Sequence, residues 1–452
     1  MNIKRNIFRE YDIRGIYPEE LNEATIRLIA GSVASKCHKE GIDVIAVGRD
    51  GRLSGESLLS EFCNEIIKYG IKVINIGLVT SPLLYYAAKK TVGKSGVMIT
   101  GSHNPKDYNG LKLVINDKPV AGTEMLDLID SINKDDYINA EIEHIDFLNQ
   151  YVSEVTGSLE IDKNLKVVID CGNGAAGAVA PLLFKKIGVQ LSELFSEVDG
   201  NFPNHHPDPS KPENLKDLIN KVLEENADIG FAFDGDGDRV GVVTKLGKDI
   251  FADKLLMLLA ENVLANKQGA VVYDVKCSNH LHKTIEVNKG NAIMAPTGHF
   301  HIKNAIKKHS AVLAGEMSGH IFFNDKWYGF DDGHYTAARV LEIMTHKSSD
   351  IDSLINQYPK TASTPELNIK VADDKKFDVV SEFIDKANIN GEKISIDGIR
   401  INMENGWGLL RASNTSPNLV LRFEGDTEED LIQIKSMFLN EFSRIFPDID
   451  LN

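Results

Sequence analysis

Five short segments hold most of the side chains able to do chemistry. In DGDGD, residues 234–238, Asp234, Asp236 and Asp238 recur at every second position behind an apolar run. In an extended chain that spacing turns three carboxylates to one side, and Gly235 and Gly237 let the backbone curl around a single hard cation. Without a cation the cluster would repel itself. An EF-hand loop requires a bidentate glutamate at its twelfth position, where this chain has Lys245.

In TGSHNPKDYNGLK, residues 100–112, Ser102 follows an apolar run and sits in a loop punctuated by Gly101, Asn104 and Pro105. This presents the hydroxyl at the carboxyl edge of a sheet, where α/β folds place ligands. His103 beside it invites a serine hydrolase reading, but no GxSxG elbow is present and neighbouring side chains tend to diverge. In GEMSGH, Glu316, Ser318 and His320 alternate with Met317 and Gly319, a row of donors and acceptors suited to sugar hydroxyls. In RASNTSPN, Arg411 precedes Ser413, Asn414 and Thr415 in a turn, which is how a phosphate dianion is cradled. YDIRG adds Tyr11 and Arg14, while Arg49, Arg52 and Arg239 are further cations beside Gly or Asp turns.

GNGAAG, residues 172–177, follows an apolar run and precedes a helical pattern, with Glu193 about twenty residues on, as in a dinucleotide-binding fingerprint. A nucleotide-dependent dehydrogenase is therefore the competing reading. It leaves DGDGD, TGSHNP and RASNTSP unexplained, and strand-to-helix turns also use glycine for packing alone.

These segments need strand ends to carry them. An apolar β-rich run, a Gly or Pro break and an amphipathic helical pattern alternate three times. The first series has strands over 44–50, 72–77 and 95–101 with helices over 57–69 and 83–90. The second has strands over 166–170 and 227–239 around a helix over 179–187. The third has helices over 254–264 and 302–308 with strands over 270–274 and 311–316. Beyond Pro365, ISIDGIRINM, GWGLLRAS and NLVLRFEG read as strands before a helix over 427–446, a small α+β unit.

A chain of 452 residues, 42% hydrophobic and 26% charged, belongs to a soluble globular protein of several domains. Its net charge of −16 repels nucleic acid and anionic membranes, so an anionic ligand must be held by local Arg and Lys. Cys37, Cys63, Cys171 and Cys277 are far apart and suggest neither zinc nor disulfides. No apolar stretch approaches membrane-spanning length, and no signal sequence opens the chain; the expectation is a cytoplasmic monomer or small homo-oligomer.

Together and in this order, FREYDIRG, TGSHNP, DGDGDR, GEMSGH and RASNTSP resemble the α-D-phosphohexomutase family, in its phosphomannomutase/phosphoglucomutase branch, over essentially the whole chain. The resemblance implies an α/β fold of four domains around a central cleft. Three related α/β mixed-sheet domains, residues 1–149, 150–249 and 250–365, would carry the phosphoserine, metal-binding and sugar-binding loops. A small C-terminal α+β domain, 366–452, would carry the phosphate-binding loop.

By matching motif, the resemblance implies that Ser102 holds the phosphoryl group and that Asp234, Asp236 and Asp238 share Mg²⁺ with it. His103 and Arg239 would lie beside the phosphoserine. Lys112 would be the general acid/base candidate, with His299 and His320 also open for that role. Glu316 and Ser318 would contact the sugar, with His320 close by, and Arg411, Ser413, Asn414 and Thr415 would grip the non-reacting phosphate. Tyr11, Arg14, Lys276 and His299 would line the cleft. The implied reaction interconverts hexose 1-phosphate and hexose 6-phosphate, of mannose or glucose, through a hexose 1,6-bisphosphate that also serves as activator. Met317 and WYGFDDG, residues 327–333, resemble this branch more than the phosphoglucosamine mutases, the alternative within the family. Phe300 follows His299 where relatives usually carry Ser, which leaves the contact of His299 open.

Overall fold

The computed structural model describes residues 3–129, 138–414 and 416–449. Its N-terminal sheet runs, edge to edge, Ile13–Ile16, Tyr108–Ile115, Gly96–Ile99, Val44–Arg49, Lys72–Leu78 and Ile142–His144, with Lys118–Val120 also paired to Tyr108–Ile115. The Val44–Arg49 strand has parallel neighbours on both sides, whereas Tyr108–Ile115 lies antiparallel to its partners. Side chains alternate across this sheet with period two. Ile45 and Val47 face a core shared with helices Glu23–Glu40 and Gly55–Ile66, while Ala46 faces the core on the opposite side with helix Ser81–Lys90. Apolar runs without polar alternation are what a sheet covered on both faces requires.

The second sheet is ordered Asp249–Ile250, Val240–Thr244, Ile229–Phe233, Lys166–Asp170, Gln190–Leu194, and the third Asn291–Ala295, Ala270–Asp274, Leu313–Gly315, Ile321–Phe323. Both are mixed: parallel where strands are joined through helices, antiparallel where a tight turn returns the chain. One apolar core continues from the first unit through the second into the third. At its centre Trp327, from the WYGFDDG segment, stacks on Tyr335 at 4.5 Å and on Tyr86 at 6.1 Å.

The last unit is a six-stranded sheet, antiparallel in every pairing, carrying helices Lys376–Lys386 and Glu428–Ile445. Thr427 and Asp430 form a reciprocal cap at the start of the terminal helix. Gly408 makes room for that helix: a Cβ there would lie 2.3 Å from the Phe438 ring.

Two local expectations need correction. DGDGD is a turn rather than the end of an extended strand; Ile229–Phe233 stops before it and Gly237 adopts φ +75°. The stretch 100–112 is only half loop, because Tyr108–Ile115 is a strand and Lys112 projects from it. Burial on both sides overrides the turn-forming look of KDYNG.

Candidate active site

Each sheet delivers one segment to a common cleft of about 330 Å³. Tyr11, Arg14, His103, Arg239, Lys276 and His299 line it, and so do Glu316, Ser318, His320, Arg411, Ser413 and Asn414. Twelve of the expected site residues, drawn from all four units, therefore meet at one surface. Ser102, Lys112 and the three aspartates lie just beneath, buried. Thr415, expected in the same grip, lies outside the described residues.

Ser102 is held in a left-handed conformation, φ +48°, its N–H donating to Thr100 Oγ1 at 2.8 Å. Its hydroxyl donates to Asp234 Oδ2 at 3.2 Å and lies 3.2 Å from His103 Nδ1. Positive φ at a serine is strained and persists only where the surroundings enforce it. Arg52 does the enforcing. Its guanidinium donates to the carbonyls of Pro105 (2.6 Å), Tyr108 (2.8 Å), Ser102 (2.7 Å) and Asn104 (2.7 Å), and pairs with Asp50 at 3.2 Å. Asp50 in turn accepts from Thr100 Oγ1 at 2.7 Å. The sequence marked Arg52 only as a spare cation; in the fold it is the clamp of the serine loop. Gly235 lets the neighbouring loop approach, since a Cβ there would sit 2.3 Å from the Ser102 carbonyl oxygen.

Ligand atoms of Asp234, Asp236 and Asp238 fall within 4.8 Å of one another, a set of hard oxygen donors that could hold one cation. Oδ1 of both Asp236 and Asp238 is buried without a hydrogen-bond partner. Lys112 places its ammonium 2.7 Å from Asp236 and 2.5 Å from Asp238, and Ser81 donates to Asp236 at 2.5 Å. Burial, Asp238 and Asp236 push Asp234 up to about 7 against the pull of Arg239. Burial also opposes ionisation of Asp236, but Lys112 and Ser81 outweigh it and hold that carboxyl well below the usual range. Burial disfavours charge on Lys112 too, yet Asp236 and Asp238 keep its ammonium protonated well above the ordinary range. Three buried carboxylates that draw a lysine onto two of their number fit a divalent cation, which would offset two of their three charges.

Arg239 bridges Asp234 at 3.0 Å and Asp208 at 3.2 Å, leaving Nη2 buried without a partner beside the serine loop. Arg14 pairs with Asp12 at 2.7 Å and donates to Asn104. Burial, Arg239 and Arg14 hold His103 well below its usual range, so it is neutral. Glu316 anchors one oxygen on the N–H of Gly298 at 2.7 Å and keeps Oε2 unpartnered. Lys276 lies 2.5 Å from Glu366 and 3.6 Å from Asp274. Arg411 pairs with Asp397 at 2.9 Å, and Asn414 donates to the Tyr11 hydroxyl, tying the last unit to the first.

Of the three cleft histidines, His299 and His320 are opposites. His320 is 3.1 Å from Asp331 and 3.5 Å from Asp238; burial works against its charge, but Asp238, Asp331 and Glu316 raise it above the ordinary range. His299 opens helix His299–His309 with both ring nitrogens buried and unpartnered, and burial, Lys303 and Lys112 hold it well below that range. Asp331, from WYGFDDG, also pairs with Lys303 at 2.6 Å, so this motif orients His320. The sequence signalled the segment without revealing that role. Next to it, Asp332 caps helix Gly333–Lys347 and accepts from Tyr151 and Trp327.

GNGAAG does not form a nucleotide cradle. A Cβ on Gly174 would meet the Gly235 carbonyl oxygen at 2.9 Å, and one on Gly177 the Ser196 carbonyl at 2.1 Å. Gly174 packs this loop under the aspartate turn and Gly177 packs it against the backbone at Ser196, while Asp170 is taken by His205 at 3.0 Å.

Family models spanning nearly the whole chain match in this order: phosphoglucomutase/phosphomannomutase α/β/α domain I over residues 5–138, domain II over 143–247, domain III over 251–361, and the C-terminal domain over 366–441. The chain belongs to the phosphoglucomutase/phosphomannomutase family. A phosphomannomutase/phosphoglucomutase of Pseudomonas putida is 48% identical over 450 residues, covering 99% of this chain and 97% of that one. A phosphoglucomutase/phosphomannomutase family protein of Burkholderia thailandensis superposes with a TM-score of 0.93 at 40% identity over 100% of both chains. A probable phosphoglucosamine mutase of Methanothermobacter thermautotrophicus is more distant, 33% identical over 98% of this chain and 97% of that one. The protein is accordingly a mutase enzyme, and the glucosamine alternative has the weaker support. Among the described residues no helix is long and apolar enough to cross a membrane.

Proposed function

We propose that the enzyme interconverts hexose 1-phosphate and hexose 6-phosphate, of mannose or glucose, through phosphorylated Ser102 and a hexose 1,6-bisphosphate, with Mg²⁺ held by Asp234, Asp236 and Asp238. The observation that carries this reading is the Ser102 hydroxyl, buried against Asp234 at the floor of a cleft whose lining includes Arg411.

Phosphoryl transfer asks the protein mainly for alignment and charge neutralisation. Bound Mg²⁺ supplies neutralisation at the transferring oxygens. The chain's own part begins with Arg239, whose free Nη2 can meet a phosphoryl oxygen on Ser102. The sugar O6 hydroxyl attacks phosphorus, the bond from phosphorus to Ser102 Oγ breaks, and the hydroxyl proton passes to a base. Neutral His299, in the cleft, is placed to accept that proton; Lys112, beneath it, is the other candidate, and Mg²⁺ held by Asp236 and Asp238 would weaken the pairing that keeps its ammonium protonated. The bisphosphate then turns over, and Ser102 Oγ attacks the phosphorus at C1. His320, charged and oriented by Asp331, supports the departing C1 oxygen, which gains the proton. Glu316 and Ser318 hold ring hydroxyls throughout, Tyr11, Arg14 and Lys276 shape the cleft around them, and Arg411, Ser413, Asn414 and Thr415 grip whichever phosphate is idle. A coupled assay with glucose 1-phosphate and with mannose 1-phosphate tests the reading: turnover of either, dependent on added 1,6-bisphosphate and Mg²⁺, supports it, and turnover of neither contradicts it.

A further inference from the structure

Bounded by Tyr11, Lys112 and His299, between the first and third units, lies a second cavity of about 300 Å³ whose other walls the proposed reaction leaves unused. That is the lower end of the range for sites that bury a small ligand. One wall is aromatic: the rings of Tyr328 and Phe330 stack at 6.2 Å, and Tyr85 lies 5.8 Å from Phe330. The opposite end is cationic, with Lys89, Lys94 and Lys307 among its lining residues and Asp117 their one acidic companion there.

That companion is overcommitted. Lys89 is 2.6 Å and Lys307 3.8 Å from its carboxylate, and Lys307 also donates to its backbone carbonyl. Burial first, and Lys89 and Lys118 after it, depress Lys307 despite the opposing pull of Asp117. Glu154, the next acid along the aromatic wall, is already engaged by Lys90, Tyr86 and Tyr328. Three lysines against one aspartate leave a surplus of two positive charges, in a protein whose net charge is −16.

We propose that this cavity is a second ligand site, separate from the sugar-phosphate cleft, that takes a small phosphate monoester carrying one flat ring. The dianion matches the lysine surplus and the ring lies against Tyr328, Phe330 and Tyr85. Tyr11 and His299 line both this cavity and the cleft, and Lys112 lines this cavity from beneath the cleft, so an occupant bears on the proton-transferring groups without touching the sugar.

Calorimetric titration of the whole enzyme with phenyl phosphate, run in saturating glucose 1-phosphate to occupy the cleft, tests this. Binding is expected to persist under saturation, to weaken at least about tenfold in Lys307→Glu, as loss of a charge-assisted contact requires, and to survive in Lys307→Arg. Both variants keep basal mutase activity, which verifies their folding. Inorganic phosphate, lacking the ring, binds more weakly. The proposal is overturned if glucose 1-phosphate abolishes binding, if Lys307→Glu binds as wild type does, if inorganic phosphate binds as well as phenyl phosphate, or if no binding is detected.

Discussion

Replacing Arg52 by Lys keeps the charge and removes the fork. The guanidinium spans four carbonyls at 2.6–2.8 Å, from Ser102 to Tyr108, and Asp50. A lysine ammonium presents its donors from one atom and cannot reach carbonyls spread along that loop. Hydrogen bonds from a charged donor contribute about 1.5–3 kcal/mol each, so losing two removes roughly 3–6 kcal/mol that holds Ser102 in its left-handed conformation. If about 3 kcal/mol of this is felt at the transition state, phosphoserine formation slows about 100-fold. Arg52 is not among the residues lining the cleft, so affinity for glucose 1-phosphate should stay near wild type. Rapid-quench measurement of phosphoryl transfer from glucose 1,6-bisphosphate to the protein, alongside direct titration of glucose 1-phosphate, separates the two effects. A folded Arg52→Lys enzyme that phosphorylates within about threefold of the wild-type rate would refute the clamp.

Asp236→Asn should nearly abolish turnover while the protein stays folded, because it removes a hard ligand and one of the two partners of Lys112; activity measured against added Mg²⁺ and chelator checks it. Arg411→Ala should weaken glucose 1-phosphate and glucose 6-phosphate by comparable factors, about tenfold or more, and release more bisphosphate per turnover; a loss confined to one substrate contradicts a shared grip. His334, stacked 4.8 Å from Phe233 beneath the aspartate turn, is pushed by burial from 6.5 to about 3. Its folded form binds fewer protons than the unfolded chain, so its share of stability is present above pH 6.5 and is lost as pH falls toward 3. His334→Phe should therefore flatten the acid side of the stability profile, read by denaturant unfolding between those pH values.

The segments that meet at the cleft were legible because they are local. Ser102, the three aspartates, Glu316 and Arg411 stand in short motifs at strand ends, and the alternating strands and helices that carry them have clear periodicity. What escaped was set by contacts distant in sequence. Arg52 becomes a clamp only when Val44–Arg49 and Gly96–Ile99 pair, and Asp331 orients His320 only after the chain turns back through Ile321–Phe323. Asp208 and Glu366, the partners of Arg239 and Lys276, lie 31 and 90 residues from them. The strand around Lys112 hid inside turn-forming residues because burial between two neighbours, not local preference, makes it a strand. GNGAAG misled for the converse reason: glycine spacing records close approach of backbone and does not say what approaches.

The central claim is that Ser102 carries the phosphoryl group between substrates. Intact-mass spectrometry followed by peptide mapping, after incubation with glucose 1,6-bisphosphate, should find a single phosphate on Ser102, lost when excess glucose 1-phosphate is added. Ser102→Ala should take up none and turn over no sugar phosphate. Phosphate on another residue, or undiminished mutase activity in Ser102→Ala, would contradict the account.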